Sequence, residues 1–168
     1  MAARDLRYEW FGKLLRNYDL TAVVTGHHLD DQIETFFINL LRGSGISGLR
    51  GMLPRSGNIV RPLLFAFRNE IEAFAEQEGL EYVYDSSNDS EEFRRNHIRH
   101  QVVPLFEKIN PSFKEVMVRN IGHLQETEMI YNDVVAGRLK KVLSSTEHGA
   151  RIKIEELKKL SPCRSYLF

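Results

Sequence analysis

The chain has 168 residues, 42% of them hydrophobic, and its 23 basic and 23 acidic residues give a formal net charge of zero. That balance excludes a uniformly basic nucleic-acid module and an acidic disordered tail, but leaves room for local patches of either sign. The single cysteine, Cys163, excludes an intramolecular disulfide framework and any paired-cysteine motif.

The length predicts roughly one domain able to bury a real core. No apolar run is long enough for a transmembrane helix, and Met1-Ala2-Ala3-Arg4-Asp5 does not open a secretory signal. Leu6, Trp10 and Leu14 recur at four-residue spacing and predict a helix over 4–18. The β-branched run at 20–25 reads as a buried parallel strand needing neighbours on both edges. Gly26-His27-His28 is a tight connection into a helix from Leu29 to Leu41, stopped by Gly43. Five glycines between 43 and 58 predict a loop. In the segment 59–65, Pro62 implies an edge strand or an extended connection. A helix over 67–78 ends at Gly79, and Glu81-Tyr82-Val83-Tyr84 reads as a second strand before a polar loop at 85–89.

Residues 91–107 look helical, with Pro104 as a kink or a boundary. A long helix then starts either with Asn110 and Pro111 or with a Ser112/Glu115 capping box, and runs to about Leu143. At about 1.5 Å per residue it would span on the order of 45 Å, long enough for an interdomain strut. Residues 146–149 read as a turn, and Ser161-Pro162 interrupts the basic and apolar stretch after it. The first half is thus α/β with too few strands for a complete doubly wound sheet, and the second half is helical.

The densest chemistry lies in 27–34, where His27, His28, Asp30, Asp31 and Glu34 follow a strand-to-helix handover. Ligands of open α/β sheets bind at that end of the strands. At about 100° per residue, His27, Asp30, Asp31 and Glu34 share one helical face. Three readings compete: helix capping by the aspartates, a Mg²⁺ or Zn²⁺ site, and a nucleotide and substrate site. Capping alone does not account for so many polar residues.

Arg42-Gly43-Ser44-Gly45 offers backbone N–H groups and a charge to an anion, or simply ends the helix. Arg95 and Arg99, four residues apart, suit phosphate oxygens; the competing reading is a solvated face neutralised by Asp89, Glu91 and Glu92. Arg138, Lys140, Lys141, Lys158 and Lys159 are ordinary solvated charges or contacts to an RNA backbone.

Three stretches, in this order and spacing, resemble the bacterial tRNA(Ile)-lysidine synthases. They are Gly26 to Thr35, Leu41 to Gly45 with Gly48-Leu49, and Arg94 to Arg99 before Pro104. Ala3-Arg4 and Arg7-Tyr8 match as well, so the resemblance runs from about residue 3 to about 143. It implies an adenine-nucleotide α-hydrolase-like fold: part of a PP-loop ATPase domain over 1–104, a helical subdomain over 105–145, and a linker toward tRNA-binding domains over 146–168. It also implies ATP with Mg²⁺, L-lysine, and tRNA(Ile) with a CAU anticodon as partners, in the cytoplasm, away from membranes, with a homodimer left open. In such enzymes C2 of the wobble cytidine is adenylated, and an amine of lysine then displaces AMP to form lysidine.

By motif match, Arg7 and Arg99 would stabilise phosphate or adenylate charge, Asp31 would face the cytidine or the lysine amine, and His27 would support the same pocket. Asp30, Glu34, Arg42, Gly43, Ser44, Gly45 and Arg95 would bind substrate or nucleotide. The family's Ser-Gly-Gly-x-Asp-Ser loop is absent. The chain is therefore expected to be a fragment lacking that N-terminal segment, and inactive alone. The alternatives are a tRNA 2-thiolation enzyme of the same superfamily, which the lone Cys163 disfavours, and a non-catalytic RNA-binding fragment.

Overall fold

The computed structural model describes residues 2–83, 94–146, 149–152, 154 and 155. The chain divides into two compact units, residues 1–122 and 123–168.

In the first unit, helix α1 (Ala2–Asn17) precedes strand β1 (Val23–Val24) and helix α2 (Leu29–Leu41). A short helix α3 (Ile46–Leu49) leads to strands β2 (Arg55–Ser56) and β3 (Ile59–Val60), then helix α4 (Arg68–Gln77). After α5 (Arg94–His97), a π-helical turn (Ile98–Val102) continues into α6 (Val103–Ile109), and α7 (Phe113–Val142) starts in this unit.

The strands form a sheet of order β1-β3-β2, with β3 parallel to β1 and antiparallel to β2. The register pairs Val23 with Ile59 and Val24 with Val60, and Thr25 N–H bonds to the Val60 carbonyl at 3.0 Å. The C-terminal ends of β1 and β3 therefore lie side by side. After β1 the chain enters α2, and Leu29 N–H anchors its start to the Ala66 carbonyl at 2.9 Å.

The core is built from Ile33, Ile98, Val103, Phe113 and Met117, with Phe36, Phe37, Phe67 and Val102 packed against it. The helical spacing of Ile33, Phe36 and Phe37 supplies one side of this core. Phe106 stacks on Phe113 with ring centroids 4.7 Å apart, and on Phe37 at 5.7 Å. This aromatic stack pins α2, α6 and α7 together.

Several expectations are corrected. The glycine-rich stretch is not all loop: α3 and β2 lie within it. The segment after Gly57 is not an edge strand, because β3 is central between β1 and β2, and Pro62 falls in the turn beyond it. A proline outside the ladder has no missing bond to accommodate. Glu81, Tyr82 and Val83 are not strand. Only one neighbour pairs with β1 among the described residues, and Val24 is 67% exposed rather than buried.

Pro104 marks a boundary, the second of the two readings its position allows. It lies in the first turn of α6, just after the π turn in which Val103 N–H reaches back to the Ile98 carbonyl. A proline has no N–H to donate to the fourth residue before it, so the wider turn falls where an α-type bond is already lost.

At the start of α7, Asn110 Oδ1 accepts from Ser112 N–H at 3.0 Å. The division between units falls within α7, after Gly122. In the second unit α7 is followed by a hairpin of β4 (Leu143–Thr146) and β5 (Gly149–Ile152), paired antiparallel with Thr146 opposite Gly149. The turn reading at 146–149 thus misses two flanking strands. Tyr84, the loop 85–89, Glu91, Glu92, Lys158, Lys159, Ser161-Pro162 and Cys163 lie outside the described residues. No helix among the described residues is long and apolar enough to cross a membrane.

Candidate functional site

The turn Gly26-His27-His28 leaves β1 at its C-terminal end and opens α2. Asp31, in the first turn of α2, reaches back so that its Oδ2 accepts from His28 N–H at 3.0 Å. A carboxylate there satisfies a helix-start donor and complements the helix dipole. The reading of Asp31 as a helix-start residue is thus realised, but it occupies only one oxygen. Asp31 Oδ1 lies 3.8 Å from an Arg99 Nη and 3.9 Å from an Arg95 Nη.

Asp31 also lines a cleft of about 550 Å³ with Arg7, Tyr8, Phe11, Thr25, His27, Thr35, Arg61 and Arg95. Of the residues singled out from sequence, Arg7, His27, Asp31 and Arg95 come together there. Burial pushes the His27 imidazole below its usual range; Asp31 opposes this, while Arg61, Arg95 and His28 reinforce it. Thr25 Oγ1 lies 2.8 Å from His27 Nδ1 and fixes the ring.

Glu34 and Arg99 sit behind Asp31. Glu34 is 1% exposed and accepts from Arg99 Nε at 2.6 Å. Burial raises its pKa, and Arg99 only partly offsets this. Arg95 approaches Glu34 at 4.0 Å and donates to the Thr35 hydroxyl at 3.1 Å.

Asp30 faces elsewhere. It accepts from Arg68 N–H at 2.8 Å, which holds the start of α4, and from Lys114 of α7 at 3.0 Å. Burial pushes the Asp30 carboxyl up, but bonds from His28, Arg68 and Lys114 outweigh it and hold it well below the usual carboxylate range.

Arg42, Gly43, Ser44 and Gly45 do not join the cleft of Asp31. Gly43 N–H and Ser44 N–H close the end of α2 on the Leu40 and Asn39 carbonyls, each at 3.0 Å, so neither is presented to an anion. Sequence reasoning missed Lys114, Thr25 and Arg61. For Arg61 a signal existed: a lone charge ending the apolar run Ile59-Val60, at the strand end where ligands gather.

The carboxylates do not fit a divalent metal. Asp30, Asp31 and Glu34 are each already engaged by a cation or an N–H, and no cluster of metal-ligating residues occurs among the described residues.

A family model described as a PP-loop domain matches residues 1–106, more than half of the chain. The chain belongs to the PP-loop family. Among curated relatives, the tRNA(Ile)-lysidine synthase of Bacteroides thetaiotaomicron is 43% identical over 152 residues, which is 90% of this chain and 35% of the relative. That of Porphyromonas gingivalis strain W83 is 47% identical over 133 residues, covering 79% of this chain and 29% of the relative. A protein of the same name from Thermosipho africanus is 40% identical over 132 residues, 79% of this chain and 31% of the relative. This PP-loop chain therefore spans about a third of the length of the curated relatives it matches. Its α/β sheet and the cleft at the end of β1 lie within the matched region.

Proposed function

We propose that this chain supplies part of the catalytic cleft of a tRNA(Ile)-lysidine synthase with an adenine-nucleotide α-hydrolase-like fold. The overall reaction joins L-lysine to C2 of the wobble cytidine of tRNA(Ile) bearing CAU, with ATP converted to AMP and pyrophosphate. The observation that carries the reading is one cleft in which Asp31 and a pKa-lowered His27 face Arg7 and Arg95, in a chain similar to proteins of that name.

In the first step the C2 oxygen of the cytidine bonds to the α-phosphorus of ATP and pyrophosphate leaves. In the second, an amine of lysine bonds to C2, the C2–O bond breaks, and AMP departs with the electron pair. Arg7 and Arg95 balance the adenylate phosphate, since phosphoryl transfer depends chiefly on positioned charge. Asp31 attracts the ammonium of lysine, and neutral His27 accepts the proton that the attacking nitrogen sheds. Arg99 acts from behind, holding Glu34 and the far oxygen of Asp31. The carboxylates of this cluster leave no seat for Mg²⁺, so none of these residue roles involves it.

The test is incorporation of labelled L-lysine into a tRNA(Ile) transcript with a CAU anticodon by the complete gene product. The expected result is ATP-dependent incorporation, reduced by at least about 100-fold in Asp31→Ala. Full activity in Asp31→Ala removes that residue from the mechanism, and no incorporation by the unaltered protein removes the function.

A further inference from the structure

We infer that Arg61 is an anion-binding residue of this cleft, holding a carboxylate or phosphate oxygen of the molecule bound beside His27 and Asp31. Arg61 directly follows β3, which runs parallel to β1, so it sits at the strand ends where open α/β sheets take ligands. Its N–H donates to the Pro54 carbonyl and one Nη donates to the Leu53 carbonyl, both at 2.8 Å. Backbone and side chain are therefore both fixed, and the residue is only 8% exposed.

Its charge is unanswered. No carboxylate of the described residues pairs with it, and its buried Nε meets no acceptor. The neighbouring arginines differ. Arg95 has Asp31, Glu34 and the Thr35 hydroxyl, and Arg99 has Glu34 and Asp31. A guanidinium stays charged at any ordinary pH, and buried charges are normally paired. A buried donor left without an acceptor costs about 1–3 kcal/mol. The missing counter-charge is supplied by what enters the cleft, and Arg61 forms part of its wall. The competing account is an arginine kept only for its bond to Leu53 and for the packing of its stem.

The inference rests on the cleft reading above for the identity of the ligand, and its failure can be told apart from failure of that reading. In the ¹⁵N-labelled complete gene product, the Arg61 Nε–H resonance is assigned through its own backbone amide. It is followed during addition of AMP, inorganic pyrophosphate, L-lysine and L-lysine methyl ester to millimolar concentration. We expect it to move with at least one of the first three. Movement with AMP or pyrophosphate identifies a phosphate oxygen; movement with L-lysine but not its methyl ester identifies the carboxylate. Arg61→Lys, which keeps the charge but not the fork, should weaken the ligand by about tenfold.

If the Gly26 and His27 resonances move while Arg61 Nε–H does not, the inference is overturned and the cleft reading stands. Unchanged affinity in a folded Arg61→Lys likewise overturns the inference and spares the cleft. If no ligand moves any cleft resonance, both are overturned. The wild-type measurement decides even if the variant does not fold.

Discussion

Arg99 and Glu34, 65 residues apart in sequence, meet at 2.6 Å in the interior and tie the π turn to α2. The bond lies directly behind Asp31, whose Oδ1 is 3.8 Å from the same guanidinium. The pair is thus both a packing element and the support of the residue facing the cleft.

Arg99→Ala leaves Glu34 buried without its main partner, and stability at pH 7 should fall by about 3 kcal/mol. At about 2–4 °C per kcal/mol for a chain of this size, the thermal midpoint drops by roughly 6–12 °C. Glu34→Gln in the same background should recover part of the loss, because no ionised carboxylate then stays buried. Calorimetry on the two variants checks this; an Arg99→Ala midpoint unchanged from wild type contradicts it. Burial raises the Glu34 pKa, so the folded state binds its proton more tightly than the unfolded state. Its contribution is therefore fully present at low pH and is lost as pH rises from about 4.3 through the folded value. Glu34→Gln should remove that slope.

His27 should titrate below the usual imidazole range, and its neighbours should move it in opposite directions. Asp31 favours the protonated ring, so Asp31→Asn should lower the pKa further; Arg61 disfavours it, so Arg61→Met should raise it. Carbon-bound ring proton shifts followed by NMR from pH 4 to 8 decide the signs, and a shift of the same sign in both variants contradicts the geometry. Because the folded value is depressed, the unfolded state takes up the proton first. Stability from this group is lost as pH falls through about 6.5 toward the folded value.

The parts legible in the sequence are those set by local chemistry. Helix α2 has the bounds the sequence predicts, because its apolar stripe is continuous and Gly43 ends it at a φ of +71°. Helix α4, followed by Gly79 at a φ of +63°, is legible for the same reason, and α7 is legible from the spacing of Phe113, Met117 and Ile121. What is not legible depends on partners distant in sequence. Strands of two residues, such as β2 and β3, carry too little pattern to register; β3 forms on β1, from which it is distant in sequence, and β2 in turn pairs with β3. Asp30 and Asp31 are adjacent and chemically identical, yet one turns to Arg68 and Lys114 and the other toward the cleft. No spacing rule separates them; only the placement of α4 and α7 does.

That geometry predicts that loss of Asp30 is felt in stability. Asp30→Ala should cost about 2 kcal/mol, since it removes a charged acceptor from the start of α4 and leaves the Lys114 ammonium with only Glu107, at 3.7 Å. The depressed pKa means that its contribution is present above the unfolded value of about 3.9 and is lost as pH falls toward the folded value. Asp30→Asn should flatten stability below pH 4 relative to wild type. Urea midpoints from pH 2 to 7 check both points, and parallel curves for wild type and Asp30→Asn contradict the assignment.

Gly51 tests how Met52, in the lining of the cleft, is held. Its φ is +69°, a conformation that side-chain-bearing residues adopt at a cost. A Cβ there would also run into the Gln32 amide. That amide is buried beside Asp31, donates to the Met52 carbonyl and accepts from Met52 N–H, both at 2.6 Å. Gly51→Ala therefore strains the backbone and displaces both bonds at once, and should cost about 3 kcal/mol. Gln32→Ala alone loses the two bonds but keeps the backbone relaxed. Combining the two changes removes the collision, so the double variant should be less destabilised than the sum of the singles. Additive losses in a thermal double-mutant cycle would show that Gly51 is needed only for its backbone angle, and that the Gln32 clamp does not govern how closely the loop after α3 approaches α2.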